Sequence, residues 1–344
     1  MISLPGIALV YAPTRLEGLR RRWGTKGQAK FRLGRARAHE QAVRAGGTAA
    51  ANQMQRGHKH AQAPVRQQAV QQQAEFEDYE QEDQLQHDVI DRLEDELQFG
   101  LPVKRVERSF VPNFDFQTCE VVVVVGQDGL VANTAKYVRD LPIVAINPDP
   151  RRIDGVLLPF QVNQARTMVR RVLDGKHQSR PVTLAEAELN DGQKLRAFND
   201  FFVGAATHVS ARYVLEAGGQ SEPQSSSGVL IATGAGSTGW LSSVFNMASG
   251  LADFLDGELP PRPQMTWEDR RLAWVVREPF ISKRSQANLV AGWLDEGDEL
   301  IVESLMPDGG VIFSDGIESD YLPFTSGTIA RLRVSPQRAN LVVG

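Results

Sequence analysis

A single cysteine, Cys119, stands in 344 residues. One cysteine excludes an internal disulfide framework and fits a reducing compartment. Nowhere do about 18 apolar residues follow one another, so no membrane-spanning helix is expected. The opening MISLPGIALVYAPTR has no basic leader and only a short apolar run, which does not read as a secretory signal. A net charge of −4 excludes a strong polycation or polyanion. What is present, 42% hydrophobic and 23% charged residues, is the composition of a globular protein, expected in the cytoplasm. The length suffices for two domains with separate cores.

GIALVYA (Gly6 to Ala12) reads as a short buried strand, and Thr14 to Gly24 as a basic helix. From about residue 25 to 83 the chain is first basic, then rich in Ala and Gln, then acidic in EFEDYEQEDQ. Paired opposite blocks of this kind form solvated helices or a mobile insertion. The acidic block competes for the basic one, so nucleic acid is not an expected partner. His58 and His60 form an HxH without acidic or cysteine ligands at a fixed spacing, and surface histidines are the expectation. Leu85, Val89, Leu93 and Leu97 recur at helical spacing, predicting an amphipathic helix from Gln84 to Gln98 that ends before Gly100 and Pro102.

CEVVVVVGQDG follows. Five valines without alternation predict a parallel strand covered on both faces. VANTAKYVRD then reads as a helix and LPIVAINPDP as a second buried strand. This order is doubly wound α/β, a fold that binds ligands at the carboxyl ends of its strands. After about Phe160 and one helix (ARTMVRRVLDGK) come short β-like runs: PVTLAEAEL, FNDFFVG, ARYVLEAG, SSGVLIAT, LAWVVREPF, ELIVESL, GVIFSDG and TIARLRVS. The helical STGWLSSVFNMASGLADFL interrupts them. The expectation is an α/β N-terminal domain over 1–158 with a polar insertion at about 25–83, and a mainly β domain over 159–344.

Gly234, Gly236 and Gly239 in GVLIATGAGSTGW spell GxGxxG. A dinucleotide fingerprint needs an acidic residue ending the next parallel strand, about 20 residues on. Here Asp253 and Asp256 sit in or just after the helix, and ELPPRPQ follows, so the Rossmann reading fails on context. The turn still places glycines and the hydroxyls of Ser237 and Thr238 at a helix start, where anions bind. A purely structural strand-to-helix turn with capping hydroxyls is the alternative.

Gly126-Gln127-Asp128-Gly129, Asn199-Asp200 and Gly236-Ser237-Thr238 occur in that order. The set resembles the NAD kinase family, marked by GGDG after a buried strand, an Asn-Glu pair and a TGSTA-like turn. The mitochondrial type of eukaryotic NAD kinase is the most similar, through VAINPDPRRIDGVLLPF, FNDFFVGAATHVSARY, SSGVLIATGAGSTGW and REPF. FSDGI is similar to the family's closing Asp-Gly turn. The resemblance covers roughly Cys119 to Leu322.

The resemblance implies transfer of the γ-phosphoryl of ATP to the 2′-hydroxyl of the adenosine ribose of NAD. It makes Asp128 the residue that orients, and deprotonates, the attacking hydroxyl, beside a Mg²⁺ held mainly by phosphates. Gly126, Gln127 and Gly129 would line the phosphates, and Asn199 and Asp200 would grip the nucleotide and its ribose diol. Thr238, Trp240 and Ser243 fall around the adenine. Trp240 either stacks on the base or packs in a core with Leu241 and Val244. A homodimer or homotetramer is implied by resemblance only. Three positions depart from the pattern: Gln127 replaces a glycine, Leu130 replaces a hydroxyl residue, and Asp200 is shorter than Glu by about 1.5 Å. They leave two alternatives: a nucleotide-binding homologue without turnover, or a kinase of this plan acting on a sugar or, less well supported, a lipid.

Overall fold

The computed structural model describes residues 5–33 and 63–344. His58 and His60, and residues 34–62 of the expected insertion, lie outside the described residues. The chain forms two compact units, one of residues 1–10 with 97–344, the other of residues 11–96.

The smaller unit carries α1 (Arg15–Trp23) and α2 (Ala63–Glu96). Thr14 caps α1: its hydroxyl accepts from the Glu17 N–H while the Glu17 carboxylate accepts from the Thr14 N–H, a reciprocal capping box. The basic and acidic blocks of the sequence meet here. Arg15 pairs with Asp78 at 3.0 Å and Lys26 with Glu80 at 2.7 Å, and Leu16, Ala29 and Phe76 form the buried cluster beneath them. The helix expected over Gln84 to Gln98 is therefore the last part of one far longer, since the Gln-rich and acidic runs before it are themselves good helix formers. Val89, Leu93 and Leu97 are buried as the spacing requires, whereas Leu85 is exposed.

In the larger unit β1 (Gly6–Tyr11), β2 (Val103–Glu107), β3 (Cys119–Val125) and β4 (Pro142–Asn147) supply one part of an eleven-stranded sheet. β3 and β4 run parallel, and every valine from Val121 to Val125 is fully buried, as a strand covered on both faces must be. The sheet continues through β17 (Ile329–Val343), which pairs parallel with β4 at Asn340 and Leu341, into the antiparallel β14 (Leu300–Ser304), β9 (Ala211–Ala217) and β10 (Gln220–Ser226). β5 (Phe160–Gln161), β6 (Gln178–Leu189) and β7 (Lys194–Ala197) pair off this path. The boundary expected at 158/159 falls inside this unit, whose large sheet takes strands from both sides of it.

A second sheet has six strands in the order β13 (Ala291–Asp295), β12 (Arg271–Val276), β11 (Val229–Ala232), β8 (Asp200–Ala205), β15 (Gly310–Ser314) and β16 (Ile317–Pro323). Its strands alternate. Phe201, Val203, Val229, Ile231, Leu272 and Ile312 enter the main core with β9, β14 and β17. Helices α3 (Asp128–Ala135) and α4 (Ala165–Leu173) come earlier in the chain; Leu230, Ala232 and Ala273 face away from the main core, toward α5 (Trp240–Phe254). Among the described residues no helix is long and apolar enough to cross a membrane.

Candidate active site

β3 ends at Val125, and the next three residues make the first half of the site. The helix expected from Val131 begins earlier, at Asp128, giving α3 (Asp128–Ala135) with Gln127 at its N-cap. Asp128 is thus the first residue of a helix at the carboxyl end of a buried parallel strand, where helix dipole and orphan N–H groups favour negative charge. Its carboxylate is gripped on both oxygens: Oδ1 accepts from the Leu157 N–H at 2.7 Å and Oδ2 from the Val156 N–H at 3.1 Å.

That grip is built by the loop after β4. Asn147 closes it, with Oδ1 accepting from the Asp149 N–H at 3.0 Å and Nδ2 donating to the Ile153 carbonyl at 2.9 Å. Gly155 must be glycine. Its φ is +68, and a Cβ there would come within 2.8 Å of Asn147 Nδ2. Around Asp128, Gln127 and Gly129 are exposed and a Cβ on Gly129 would meet nothing, so the backbone there is open to a ligand. Gly126 is buried; a Cβ on it would lie 3.0 Å from Leu130 Cδ2. Leu130, 4% exposed, is a core side chain seated against that glycine.

The second half sits where β8 begins. β15 and β16 are joined by Asp315-Gly316 alone, both with φ above +50, the two-residue hairpin turn that Asp-Gly favours. The turn aims Asp315 inward, where its carboxylate accepts from the N–H groups of Asn199 at 2.6 Å, Phe198 at 3.1 Å and Asp200 at 3.4 Å. The Asp315 N–H returns a bond to the Asp200 carbonyl at 3.0 Å. The side-chain amide of Asn199 has no hydrogen-bond partner among the described residues. Asp200 is buried on the sheet face it shares with Phe202, and burial, with the charge of Asp315 adding, pushes its carboxyl up to about 7. Burial also pushes Asp315 up, against the opposing pull of Lys136 and the three N–H groups.

The glycine-rich turn packs on this corner. The Thr233 N–H donates to the Asn199 carbonyl at 2.9 Å, and the Gly236 N–H to the Thr233 hydroxyl at 3.2 Å. A Cβ on Gly236 would lie 2.1 Å from the Asn199 carbonyl oxygen and one on Gly234 1.7 Å from that of Thr266. These two glycines therefore admit other segments of the protein's own backbone. The segment expected as one helix is split at Gly239 (φ −90, ψ −120) into a 3₁₀ turn, Ala235–Thr238, and α5. The Ser237 hydroxyl is spent on the Gly234 carbonyl at 2.7 Å; Thr238 and Ser243 are exposed.

Trp240, half-buried, packs against the Leu230–Leu241 cluster and also lines a cavity of about 790 Å³ with Phe202, Arg277, Phe313 and Tyr321. The Phe202 ring stacks on it (centroids 5.7 Å apart, planes 11° apart), and the Arg277 guanidinium lies 5.0 Å over it. Trp240 thus packs beside Leu241 and Val244, and part of it borders the cavity.

Asn199, Asp200 and Gly236 are brought into contact. No hydrogen bond among the described residues joins Asp128 to Asn199, Asp200 or Thr238; the link runs through α3. Just past its last turn, Lys136 donates to Ser314 Oγ at 2.8 Å and lies 3.8 Å from Asp315 Oδ2. Sequence reasoning found neither this lysine nor the Val156–Leu157 grip. The hairpin signal SDG marks Asp315, but nothing local marks a lysine that will be buried. Among the described residues the group able to offer three metal ligands is Glu17, Asp83 and His87, in the other unit. There Glu17 already accepts from the Thr14 N–H and Asp83 from the Thr14 hydroxyl.

No family model matches the chain. It is similar to "NAD kinase 2, mitochondrial" of Rattus norvegicus, 27% identical over 207 residues, covering 47% of this chain and 48% of that protein. The Homo sapiens protein of the same name is 26% identical over 207 residues, covering 47% and 46%. An NAD kinase of Psychrobacter arcticus is 28% identical over 144 residues, covering 40% and 43%. The chain thus spans about half the length of the curated relatives it matches. Among solved structures, yeast NADH kinase complexed with NADH superposes with a TM-score of 0.52 at 14% identity, over 75% of this chain and 79% of that one. An NAD kinase from Archaeoglobus fulgidus in complex with ATP gives 0.51 at 15%, over 74% and 89%. Part of the chain is thus similar in sequence to NAD kinases, and the chain shares the fold of the two solved kinases, an α/β part joined to a strand-rich C-terminal part.

Proposed function

We propose that this chain is a nucleotide kinase that transfers the γ-phosphoryl group of ATP to the 2′-hydroxyl of the adenosine ribose of NAD, giving NADP. The observation that carries the reading is the Asp128 carboxylate. It opens a helix at the end of a central parallel strand, with both oxygens oriented by backbone N–H groups. The solved neighbours of this fold, one complexed with NADH and one with ATP, support the two nucleotides.

In this mechanism the ribose hydroxyl oxygen forms the bond to the γ-phosphorus as the bond to the departing ADP oxygen breaks. Asp128 accepts the hydroxyl proton. Each carboxylate oxygen keeps lone-pair capacity beyond its one N–H bond. The open backbone at Gln127 and Gly129 faces the phosphates, and Asn199, with its amide uncommitted, and Asp200 contact the acceptor nucleotide beside Gly236, Ser237, Thr238, Trp240 and Ser243. A Mg²⁺ fits the site in one way. With Asp128 as the acidic side chain at hand, the ion would take most of its oxygen ligands from phosphates and water, and would offset phosphate charge. The reading divides the work between residues 1–158, with Asp128, and 159–344, with the nucleotide-binding turn. We take the protein as cytoplasmic from its composition and single cysteine, and as a homodimer or homotetramer on resemblance alone.

The test is the purified chain with ATP, Mg²⁺ and NAD or NADH, read by product mass. A product heavier by one phosphate is expected, and Asp128→Asn should lower turnover about 10²–10⁴-fold with nucleotide affinity little changed. Intact turnover in that variant removes Asp128 from the mechanism. A second reading, nucleotide binding without turnover, is favoured by the exposed Gln127 side chain directly before Asp128. It predicts nucleotide binding with no product for any donor or metal.

A further inference from the structure

Lysine is almost never fully buried unless it is paired, yet the side chain of Lys136 is 1% exposed. It lies immediately after α3, the helix that Asp128 opens, and the hydrogen-bond and ion-pair partners of its ammonium are all far away in sequence. Its ammonium donates to the Ser314 hydroxyl at 2.8 Å and faces Asp315 at 3.8 Å and Asp320 at 3.9 Å. Asp320 in turn accepts from the neighbouring Tyr137 hydroxyl. Asp315 is the carboxylate that receives the N–H groups of Phe198, Asn199 and Asp200. A continuous set of contacts therefore runs from the helix bearing the reacting carboxylate, through one cation, to the corner that carries the nucleotide-gripping pair.

We propose that Lys136 is a positioning residue of the nucleotide site: by pairing with Asp315 and holding it in place, it fixes the Phe198–Asp200 corner relative to the helix that Asp128 opens. This rests on the kinase reading for what the corner binds. The need for a cation follows from burial. Without one, Asp315 is an unpaired charge in the interior, and such a group takes up a proton instead. A protonated carboxyl accepts its three N–H groups less well, and the corner loosens. The groups facing this centre are Lys136, Tyr137 and, at longer range, Arg108 on the helix side, with Asp200 and Asp320 on the strand side.

The experiment compares the full chain with Lys136→Met, Lys136→Arg and Ser314→Ala. Two readouts are taken: backbone amide hydrogen exchange, and steady-state kinetics with ATP, Mg²⁺ and NAD. In Lys136→Met the amides of Asn199 and Asp200 should exchange at least about tenfold faster while those of Phe202 and Val203 keep their rates. KM for NAD should rise about tenfold with kcat within about threefold, because the corner binds the acceptor and Asp128 keeps its own grip. Lys136→Arg should restore most of both, and Ser314→Ala should shift both in the same direction by less. Unchanged exchange in a folded Lys136→Met, or a fall in kcat at unchanged KM, overturns the proposal. Should Lys136→Met not fold, unchanged exchange at Asn199 and Asp200 in Ser314→Ala overturns it. A wild-type chain without turnover counts against the kinase reading, and the exchange result then decides the role of Lys136.

Discussion

The two halves of the site are organised by different physics. Around Asp128 a half-exposed carboxylate is held by two amides from a loop fewer than thirty residues away. Around Asn199 a fully buried carboxylate, Asp315, more than a hundred residues distant, ties down three successive amides and is neutralised by a buried lysine. The first arrangement leaves its functional group facing outward and cheap to rearrange. The second places charge in the core, where each partner is needed by the others. One half is therefore expected to fail in chemistry when altered, the other in folding and in titration.

The largest expected effect is at the second half. Asp315→Ala takes the shared acceptor from the amides of Phe198, Asn199 and Asp200 and leaves the buried Lys136 with Ser314 and Asp320 alone, and should cost about 3–5 kcal/mol in urea unfolding. An effect of under 1 kcal/mol there would erase the contrast. Asp200→Asn comes next and depends on pH. The folded state raises this carboxyl from 3.8 to about 7, so between those values the native protein binds more protons than the unfolded chain. Stability then falls as pH rises through the window. The variant should accordingly gain up to about 4 kcal/mol on wild type at pH 8 and none near pH 4, measured by denaturant unfolding at both. A gain that is the same at both pH values refutes the assignment.

Smaller effects sharpen the first half. Leu130→Thr, which restores the hydroxyl of the family pattern, should cost about 1–3 kcal/mol, because it puts a polar group and a gap against Gly126. Gln127→Gly should change stability by no more than about 0.5 kcal/mol, since the side chain is exposed and makes no capping bond. Melts of both variants check the pair. Equal effects would mean that the two departures from the family pattern are of one kind.

Much of the fold was legible. The valine run of β3, the short apolar runs of β8 and β11, and the strand-to-helix turns at Gly126 and Gly236 announced themselves through apolar clustering and glycine placement. β10 did not: QSEPQSS carries a proline and no apolar run, yet it pairs in full register with β9 at the sheet edge, where a proline is tolerated. The start of α3 was read three residues late because a glycine follows Asp128, and glycine disfavours helix until an N-terminal site repays it. In the site, the order of the motifs pointed to Asp128, Asn199, Asp200 and Gly236. The glycines of the turn were read as room for a ligand, and two of them are room for the carbonyls of Asn199 and Thr266.

By itself the sequence determined what depends on neighbours a few residues away: the buried parallel strands, the capped α1, the Asp-Gly hairpin and the carboxylate at the start of α3. These follow from side-chain period, backbone preference and local hydrogen bonding. Only the tertiary structure decided that Lys136 meets Asp315, that Val156 and Leu157 seize Asp128, and that Gly236 presses on Asn199. Such contacts join segments that are strangers in sequence, and the free energy of burying a charge or fitting two backbones together exists only once the chain has closed around them.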